Sequence, residues 1–187
     1  MESKIRIIAG KWRGRKIKFA ASEAVRPTPD RVRETLFNWL QNITNANCLD
    51  LFAGSGALGI ESLSRGARSV TFIDESKECC NNIAQTIALI DHNLHPQIHN
   101  MSFAMSINAL KNKQFDVIFL DPPYNTELLE QACKMIISNK LLMPNGFIYC
   151  ETASKMDINY PKEMQIEKTK TYGNVTFSLF KIAKEAT

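Results

Sequence analysis

Short apolar segments alternate with amphipathic segments from residue 46 onward, and this alternation restricts the possible folds most strongly. The strand-like segments lie at residues 47–52, 69–74, 95–100, 116–120 and 145–151, and the helix-like segments lie at residues 57–66, 76–91, 102–111 and 126–139. Such alternation predicts an α/β fold with a mostly parallel sheet and helices on both faces. Two further strand-like segments, 162–170 and 174–183, have no helix between them and predict an antiparallel hairpin that closes the sheet.

The N-terminal segment differs from the rest in pattern and in charge. Ile5 and Ile7, and then Ile17 and Phe19, alternate with charged residues on either side of a glycine-containing turn, which predicts a small β-hairpin. Residues 1–18 contain seven Lys or Arg side chains and one acidic residue, Glu2, whereas the net charge of the 187-residue chain is only +4. Such a cluster indicates binding to a polyanion, with a basic tail that serves only solubility as the alternative. The candidate phosphate contacts are Lys11, Arg13, Arg15 and Lys16.

A helix is predicted to begin near Thr28. Thr28 suits the N-cap position, and Pro29 suits the first helical position, where no backbone donor is needed. The apolar residues at every fourth position form the stripe expected to face the core, and they are Val32, Leu36 and Leu40. Arg31, Arg33 and Glu34 lie on the more polar sides of the predicted helix.

The composition argues against several classes of protein. The five cysteines are odd in number and irregularly spaced, which favours a reducing cytosol over a disulfide framework. No apolar segment approaches the roughly 18–20 residues of a membrane-spanning helix, so we expect no membrane partner. His92, His95 and His99 have no cysteine or carboxylate patterned around them, and we expect no metal site there.

A glycine-rich loop connects strand 47–52 to the helix that follows it. Its G-x-G-x-x-G pattern allows a sharp turn, lets a ligand lie close to the backbone and presents the N–H groups of a helix N-terminus. Asp74, at the end of the next strand, is placed to accept hydrogen bonds from a ribose. The loop residues expected to bind the ligand are Gly54, Ser55, Gly56 and Gly59.

The loop alone does not identify the cofactor. Asp74 follows Gly54 by 20 residues, a spacing that also fits a nicotinamide dinucleotide. Asp50, four residues before Gly54, favours S-adenosylmethionine, because a carboxylate attracts the cationic amino group of methionine and would repel a pyrophosphate. A purely structural turn is the third alternative.

The tetrapeptide Asp121-Pro122-Pro123-Tyr124 follows the buried strand 116–120 and indicates the chemistry most clearly. Two prolines stiffen the loop and remove backbone donors, so that carbonyl acceptors remain. A base amine held by the Asp121 carboxylate and the Pro122 carbonyl would become a better nucleophile toward a sulfonium methyl group, and Tyr124 would stack on the flipped base. A proline-stiffened turn capped by aspartate is the structural alternative.

These motifs resemble a known family. The segment from Asp50 to Gly59 together with Asp121–Tyr124 resembles the amino-methyltransferases that use S-adenosylmethionine. The segments Arg6-Ile-Ile-Ala-Gly-Lys-Trp-Arg-Gly-Arg15 and Arg26-Pro-Thr-Pro-Asp-Arg-Val-Arg-Glu-Thr-Leu-Phe37 are more specific and are similar to the RsmD family of bacterial 16S ribosomal RNA (guanine-N2) methyltransferases. The resemblance covers essentially the whole chain.

The resemblance implies a class I (Rossmann-like) methyltransferase with a seven-stranded, mostly parallel sheet. Residues 1–25 would form an RNA-binding hairpin extension, and residues 26–187 would form the catalytic domain. The resemblance places adenine contacts at Phe103 and Ala104, and it places Thr28 and Arg31 beside the cofactor and the RNA. It implies the small ribosomal subunit, or an assembly intermediate of it, as the partner of a cytoplasmic enzyme, which we expect to be a monomer.

Other functions fit parts of the pattern. The tetrapeptide would also serve adenine N6, cytosine N4 or a glutamine amide, since each presents a planar NH₂ group. A nicotinamide oxidoreductase would use the glycine loop but would leave the Asp121–Tyr124 tetrapeptide unexplained. A non-catalytic RNA-binding module would bind RNA with unchanged affinity after Asp121→Ala and would transfer no methyl group.

Overall fold

A computed structural model describes residues 2–20, 28–123 and 127–183. The chain forms nine strands and five helices within these residues. The strands are β1 (Glu2–Arg6), β2 (Lys16–Ala20), β3 (Asn47–Asp50), β4 (Ser69–Asp74), β5 (Gln97–Asn100), β6 (Phe115–Leu120), β7 (Leu142–Ala153), β8 (Met164–Tyr172) and β9 (Val175–Ile182). The helices are α1 (Asp30–Leu40), α2 (Ala57–Ser64), α3 (Lys77–Ile90), α4 (Phe103–Ala109) and α5 (Leu128–Ser138).

The main sheet has the strand order β5-β4-β3-β6-β7-β9-β8. Strands β3 to β7 pair in parallel, and β9 runs antiparallel between β7 and β8. The predicted α/β fold, with its parallel sheet and closing hairpin, is therefore confirmed. Strands β1 and β2 form a separate antiparallel pair, as the N-terminal alternation predicts.

The helices cover the two faces of the main sheet with two hydrophobic clusters. One cluster joins α1, α2 and α3 to the sheet through residues such as Leu36, Ile60 and Ile83. The other cluster packs α5 against the opposite face through residues such as Leu129 and Ile136. Because both faces are buried, the strands between them consist of nearly continuous apolar residues.

The beginning of α1 differs from the prediction in one respect. Pro29 occupies the N-cap position, and no side chain caps the helix. The predicted N-cap role of Thr28 is therefore wrong, because the Thr28 hydroxyl donates a hydrogen bond to the Asp121 carboxylate at 3.3 Å instead. The predicted apolar stripe is confirmed, since Val32, Leu36 and Leu40 are all buried.

Arg33 is fully buried, although the sequence pattern places it on one of the more polar sides of the helix. Its Nη2 atom donates to Asp30 Oδ1 at 2.6 Å and to the Arg6 carbonyl at 2.9 Å. Its Nη1 atom lies 3.6 Å from Glu61 Oε2, and Glu61 is also fully buried. Arg65 completes the network through a 2.7 Å ion pair with Glu61. These partners explain the burial, because a charged side chain inside a protein needs opposite charges and hydrogen bonds around it.

The same glutamate fixes the N-terminal hairpin to the rest of the fold. The backbone N–H groups of Ile8 and Ala9 donate to the two carboxylate oxygens of Glu61 at 2.8 and 3.0 Å. At the end of α2, Ser64 accepts from Lys11 N–H at its carbonyl, at 2.7 Å. Gly10 has a φ of +82° between these contacts, and a Cβ there would lie 1.9 Å from the Ser64 oxygen. The close approach therefore requires glycine at this position.

The described apolar side chains of the hairpin belong to the core of the main fold. Ile5, Ile7, Trp12 and Ile17 are buried in the same cluster as α1, α2 and α3. The hairpin is thus held by apolar packing as well as by Glu61. The predicted boundary between residues 25 and 26 lies outside the described residues.

Two further features bear on the sequence analysis. All five cysteines are free thiols with buried side chains. None of the helices in residues 2–20, 28–123 and 127–183 is long and apolar enough to cross a membrane.

We predict that Glu61→Gln lowers the free energy of unfolding by about 3 kcal/mol, because the change leaves buried Arg33 without its full counter-charge. Chemical denaturation measures this loss. Lys134→Met is the matched control, since Lys134 is exposed and its ion pair with Glu130 spans 4.0 Å. We expect that control to change the unfolding free energy by less than about 0.5 kcal/mol. Equal effects of the two changes would contradict the assigned role of Glu61.

Candidate active site

Three acidic residues lie at the carboxyl edge of the parallel strands. Asp50 ends β3, Asp74 ends β4, and Asp121 directly follows β6. Because β3 pairs with both β4 and β6, the three residues lie on neighbouring strands at one edge of the sheet. Open α/β sheets bind their ligands at this edge, where the strand order reverses.

The glycine loop forms a cradle at the same edge. Gly54 and Gly56 have φ values of +50° and +75°, which residues other than glycine rarely adopt. Gly59 packs against Phe72, and a Cβ at Gly59 would lie 2.2 Å from the Phe72 ring. Ser55 is buried within the turn. Each glycine of the motif thus has a steric reason.

The Asp74 carboxylate connects the glycine loop to the beginning of α3 through hydrogen bonds. Its Oδ2 atom accepts from Gly54 N–H at 2.7 Å, and its Oδ1 atom accepts from Ser76 N–H at 2.8 Å. Each carboxylate oxygen has a second lone pair, so the carboxylate can accept ribose hydroxyls as well. The position and chemistry of Asp74 therefore fit the nucleoside part of S-adenosylmethionine.

Asp50 lies beneath the loop with 3% of its surface exposed. Its Oδ2 atom accepts from Gly59 N–H at 3.0 Å. Burial raises the pKa of Asp50 to about 7, and the nearby Asp74 carboxylate adds to this increase, whereas the Gly59 hydrogen bond opposes it. A buried carboxyl group with this pKa favours a cationic ligand, which fits the amino group of the methionine part.

Asp121 begins the proline loop at the end of β6. Thr28 donates a hydrogen bond to Asp121 Oδ2, which connects the start of α1 with this loop. Burial raises the pKa of Asp121 well above its usual value, Glu151 and Asp50 raise it further, and the Thr28 hydrogen bond opposes them. Pro122 is buried and Pro123 is exposed. Tyr124 lies outside the described residues.

Glu151, on the next strand β7, is a residue that the sequence analysis missed. It is buried, and the Tyr149 hydroxyl donates to its Oε2 atom at 2.8 Å. Cys150 of β7 pairs with Leu120 of β6, so the next residues along the two strands are Glu151 and Asp121. The available signal was an acidic residue at the end of an otherwise apolar strand.

Aromatic rings border the other side of the cradle. Phe103 stacks on Phe52, with ring centroids 5.8 Å apart and an interplanar angle of 28°. Phe52 directly precedes the glycine loop, and Phe103 begins α4. Ala104 is exposed in the first turn of α4. The structure therefore brings the residues predicted to contact adenine beside the loop, together with Phe52, which the sequence analysis did not single out.

The basic residues of the hairpin are divided between two environments. Lys11 forms a 2.7 Å ion pair with Asp91, and Arg15 donates to the Ile90 carbonyl at 2.8 Å. Both side chains thereby connect the hairpin to the end of α3. Arg13 and Lys16 are exposed. The four residues predicted to contact phosphate thus include two that also hold the hairpin in place.

Arg31 lies on the exposed side of α1, three residues after Thr28. Its guanidinium lies 5.1 Å from the centroid of the Tyr172 ring, at the end of β8. The structure thereby places a cation and an aromatic ring beside the carboxyl edge.

The opposite edge of the sheet offers no comparable chemistry. A cavity of about 320 Å³ lies there, lined by residues that include Asn45, Asp116 and Gly146. None of the glycine-loop residues and none of the acidic residues at the carboxyl edge line it. Among the residues that the structure describes, no group of three or more His, Cys, Asp or Glu side chains is arranged to hold a metal ion.

The sheet order, the glycine cradle and the acidic carboxyl edge together define a Rossmann-like methyltransferase. The sequence matches the family described as Conserved hypothetical protein 95 over residues 5–181, and the chain belongs to this family, the RsmD family.

Individual relatives are similar in sequence to this chain over nearly its full length. The chain is 43% identical over 185 residues to Ribosomal RNA small subunit methyltransferase D of Haemophilus influenzae, with 96% of this chain and 94% of that protein covered. It is 39% identical over 178 residues to the protein of the same name from Escherichia coli K12, with 94% and 89% covered. The fold matches the solved structure of the putative methyltransferase yhhF from Escherichia coli with a TM-score of 0.84 and 37% identity, covering 98% of this chain and 100% of that one.

We predict that cofactor affinity depends on the ionisation of Asp50. The cationic amino group favours the ionised carboxylate, so affinity for S-adenosylhomocysteine should fall as the pH decreases below about 7, the pKa of this group. The affinity should decrease by at most about tenfold per pH unit, which is the limit for a single titrating group. Titration calorimetry from about pH 5.5 to 7.5 measures it, over a range in which a free α-amino group stays mostly protonated.

Asp50→Asn is the control for this prediction, because an amide keeps an acceptor for Gly59 N–H but does not titrate. We expect weaker binding with little pH dependence in this variant. The same pH profile in both proteins would show that another group controls the affinity.

Proposed function

We propose that this protein transfers the methyl group of S-adenosylmethionine to the N2 amine of a guanine in small-subunit ribosomal RNA. Methylation of ribosomal RNA with S-adenosylmethionine follows from its family, and the guanine N2 position is the finer part of the proposal. One observation supports the chemistry most: the carboxylate of Asp121 lies in a proline loop beside the strand that leads into the cofactor cradle. The Thr28 hydroxyl donates a hydrogen bond to this carboxylate.

Asp121 and the carbonyl of Pro122 would accept the two hydrogens of the target amine. The base nitrogen is a weak nucleophile because its lone pair is delocalised into the ring, and two acceptors favour a more localised lone pair. As the nitrogen attacks the methyl carbon, the carbon–sulfur bond breaks, the sulfonium becomes a neutral thioether, and positive charge develops on the nitrogen. The Asp121 carboxylate attracts this charge more strongly in the transition state than in the ground state.

The product amine must then lose a proton. Asp121 is placed to accept it, because burial and the neighbouring carboxylates raise the pKa of Asp121 well above its usual value. Solvent can then remove the proton after the product leaves. The remaining rate enhancement comes from alignment of nitrogen, methyl carbon and sulfur. Tyr124, the last residue of the tetrapeptide, is assigned to stacking on the flipped base.

The RNA would contact the face that carries α1 and the N-terminal hairpin. Arg13 and Lys16 are exposed on the hairpin, and Arg31 is exposed beside Thr28. Lys11 and Arg15 would contribute positive charge while they hold the hairpin against α3. We assign residues 1–25 to RNA binding and residues 26–187 to catalysis. The partner would be the small ribosomal subunit or an assembly intermediate of it, bound by a monomer in the bacterial cytoplasm.

Methyl transfer from labelled S-adenosylmethionine to small subunits from a strain that lacks this gene tests the substrate. The modified nucleoside is identified by mass spectrometry. We expect a single N2-methylguanosine. Label in N6-methyladenosine or N4-methylcytidine would retain the mechanism and contradict the guanine assignment, and label only in protein would point to a glutamine amide.

We predict that Asp121→Ala lowers turnover by at least about 100-fold and changes the affinity for S-adenosylhomocysteine by less than about threefold, because Asp121 acts on the amine rather than on the cofactor. Single-turnover kinetics and calorimetry provide the two measurements. The matched comparison is Asp50→Asn, which should weaken cofactor binding more than Asp121→Ala does. Loss of cofactor affinity in the Asp121 variant would contradict the assigned role.

We also predict that exchanging both Arg13 and Lys16 for Gln reduces the slope of log affinity against log salt by about 1.4 to 1.8, since each lost phosphate contact removes about 0.7 to 0.9. Filter binding at several salt concentrations measures the slope. Exchanging Lys134 for Gln on the opposite face of the sheet is the control and should leave the slope unchanged. An unchanged slope in this variant would exclude Arg13 and Lys16 as phosphate contacts.

A further inference from the structure

The edge strand β8 carries a stripe of basic and aromatic side chains away from the glycine loop and the proline loop. This β8 stripe consists of Lys168, Lys170 and Tyr172, at alternate positions of the strand. Both lysines are exposed, and Tyr172 is 43% exposed. The segment from Lys168 to Tyr172 contains no acidic residue, and Glu167, just before it, forms an ion pair with Lys181 at 3.6 Å. The β8 stripe is therefore positively charged.

A β-bulge determines the face of the sheet on which the β8 stripe lies. The register of β8 and β9 shifts between Ile166 and Lys168, so no residue of β9 lies directly opposite Glu167. After this extra residue Lys168 pairs with Leu179, whereas an uninterrupted register would pair it with Ser178. Because successive side chains of a strand point to opposite faces, the bulge turns the whole stripe from one face to the other.

The β8 stripe projects from the face that α1 covers. Lys170 pairs with Phe177 of β9, and side chains directly opposite each other in a sheet share a face. Phe177 belongs to the hydrophobic cluster that contains the buried residues of α1, and its ring centroid lies 5.2 Å from that of Trp39 in this helix. The two lysines and Tyr172 consequently emerge beside α1.

One end of the β8 stripe reaches the carboxyl edge of the parallel strands. Val175, which is opposite Tyr172, also pairs with Ala153 at the end of β7. The guanidinium of Arg31 lies 5.1 Å from the centroid of the Tyr172 ring. Arg31 is in the first turn of α1, and the residues just before this helix contact the Asp121 carboxylate. The stripe therefore begins beside the proposed position of the reacting amine and leads away from it along β8.

Single-stranded RNA has the chemistry that the β8 stripe fits. Its phosphates attract exposed lysines, and its bases stack on aromatic rings and on guanidinium groups. Alternate residues of an antiparallel strand are separated by about 7 Å, twice the rise per residue, and successive phosphates of an extended RNA strand have a similar separation. Lys168 and Lys170 can thus meet two consecutive phosphates.

The β8 stripe and the N-terminal hairpin lie on opposite sides of α1. The hairpin contacts α3, which packs on β4 and β5 at one end of the main sheet, and β8 forms the other end. A target nucleotide held at the carboxyl edge would therefore lie between two basic surfaces. One surface alone would hold the RNA on a single side of that nucleotide.

We propose that the β8 stripe is a second RNA-binding surface, which holds the nucleotides on one side of the target guanine. Tyr172, with Arg31 against its ring, stacks on a neighbouring base, and Lys168 and Lys170 contact the phosphates that follow. The inference rests on the proposed methylation of ribosomal RNA. It adds to that function a binding surface on the C-terminal hairpin, separate from the N-terminal segment assigned to RNA.

Exposed lysines on an edge strand have a second possible role, because they prevent the strand from pairing with another chain. That role requires neither a particular face nor an aromatic ring. The bulge instead brings both lysines and Tyr172 to the side of the sheet that carries α1. This arrangement favours RNA binding over protection of the edge.

Exchanging both Lys168 and Lys170 for Gln tests the phosphate contacts. The slope of log affinity against log salt should decrease by about 1.4 to 1.8, since each lost contact removes about 0.7 to 0.9. Filter binding of small subunits from a strain that lacks this gene measures the slope. Exchanging both Lys111 and Lys134 for Gln is the matched control. It removes the same charge from exposed positions at the end of α4 and on α5, and it should leave the slope unchanged.

Tyr172→Leu tests the stacking. Loss of the ring should raise KM for the small subunit by at least about fivefold, which corresponds to the weaker end of base stacking on an aromatic ring. The kcat should change by less than about twofold, because the stacked base does not touch the reacting atoms. Tyr172→Phe keeps the ring and should keep KM within about twofold of the wild-type value. Affinity for S-adenosylhomocysteine, measured by calorimetry, should be the same in all of these variants.

Each of three results would overturn the inference. The first is an unchanged salt slope in the Lys168 and Lys170 variant, which together with faster aggregation would assign the lysines to protection of the edge strand. The second is an equal decrease in the Lys111 and Lys134 control, which would show an effect of net charge alone. The third is an unchanged KM in Tyr172→Leu. Failure of the proposed function is distinguishable, because it appears in the wild-type protein as the absence of label in guanine.

Discussion

The parallel register of β3, β4, β6 and β7 brings four carboxyl groups to one edge of the sheet, and the site depends on this constraint. Asp50, Asp74, Asp121 and Glu151 are far apart in sequence and adjacent in space because parallel strands end at the same edge. Burial raises the pKa values of Asp50 and Asp121, and the neighbouring carboxylates raise them further. A cation relieves this repulsion, and the proposed reaction supplies two: the amino group of the methyl donor and the amine that becomes charged during transfer.

A second cluster of buried charges serves architecture instead of chemistry. Glu61 receives two backbone N–H groups of the N-terminal loop and two arginine side chains. It is at once the counter-ion of Arg33 and the anchor of the hairpin. Arg33 lies in α1, and Thr28 lies just before the start of this helix. Contacts of Glu61, Arg33 and Thr28 therefore connect the hairpin, α1 and the Asp121 loop. The surface proposed to hold RNA is therefore fixed in position relative to the reacting amine.

The sequence predicted the features that depend on local pattern. The strand–helix alternation, the glycine loop and the closing hairpin each have a periodic or steric signal, and the structure contains all three. The roles of Arg33 and Glu61 could not be read in this way, because a charged residue in a helix is expected at the surface unless its partners are known. The contacts of these two residues with each other and with the backbone of the N-terminal segment join separate elements, so only the tertiary structure reveals them. Thr28 shows the same limit: its sequence context suits an N-cap, and its partner is 93 residues away.

A crystal structure with S-adenosylhomocysteine and guanosine bound tests the central claim most directly. The account predicts that the amino acid part of the cofactor lies near Asp50 and its ribose near Asp74, with the guanine N2 atom within about 3.2 Å of both Asp121 and the Pro122 carbonyl. The sulfur should face that nitrogen across the space of one methyl group. A guanine bound with its ribose or its O6 edge toward Asp121, or a cofactor outside the glycine cradle, would contradict the account.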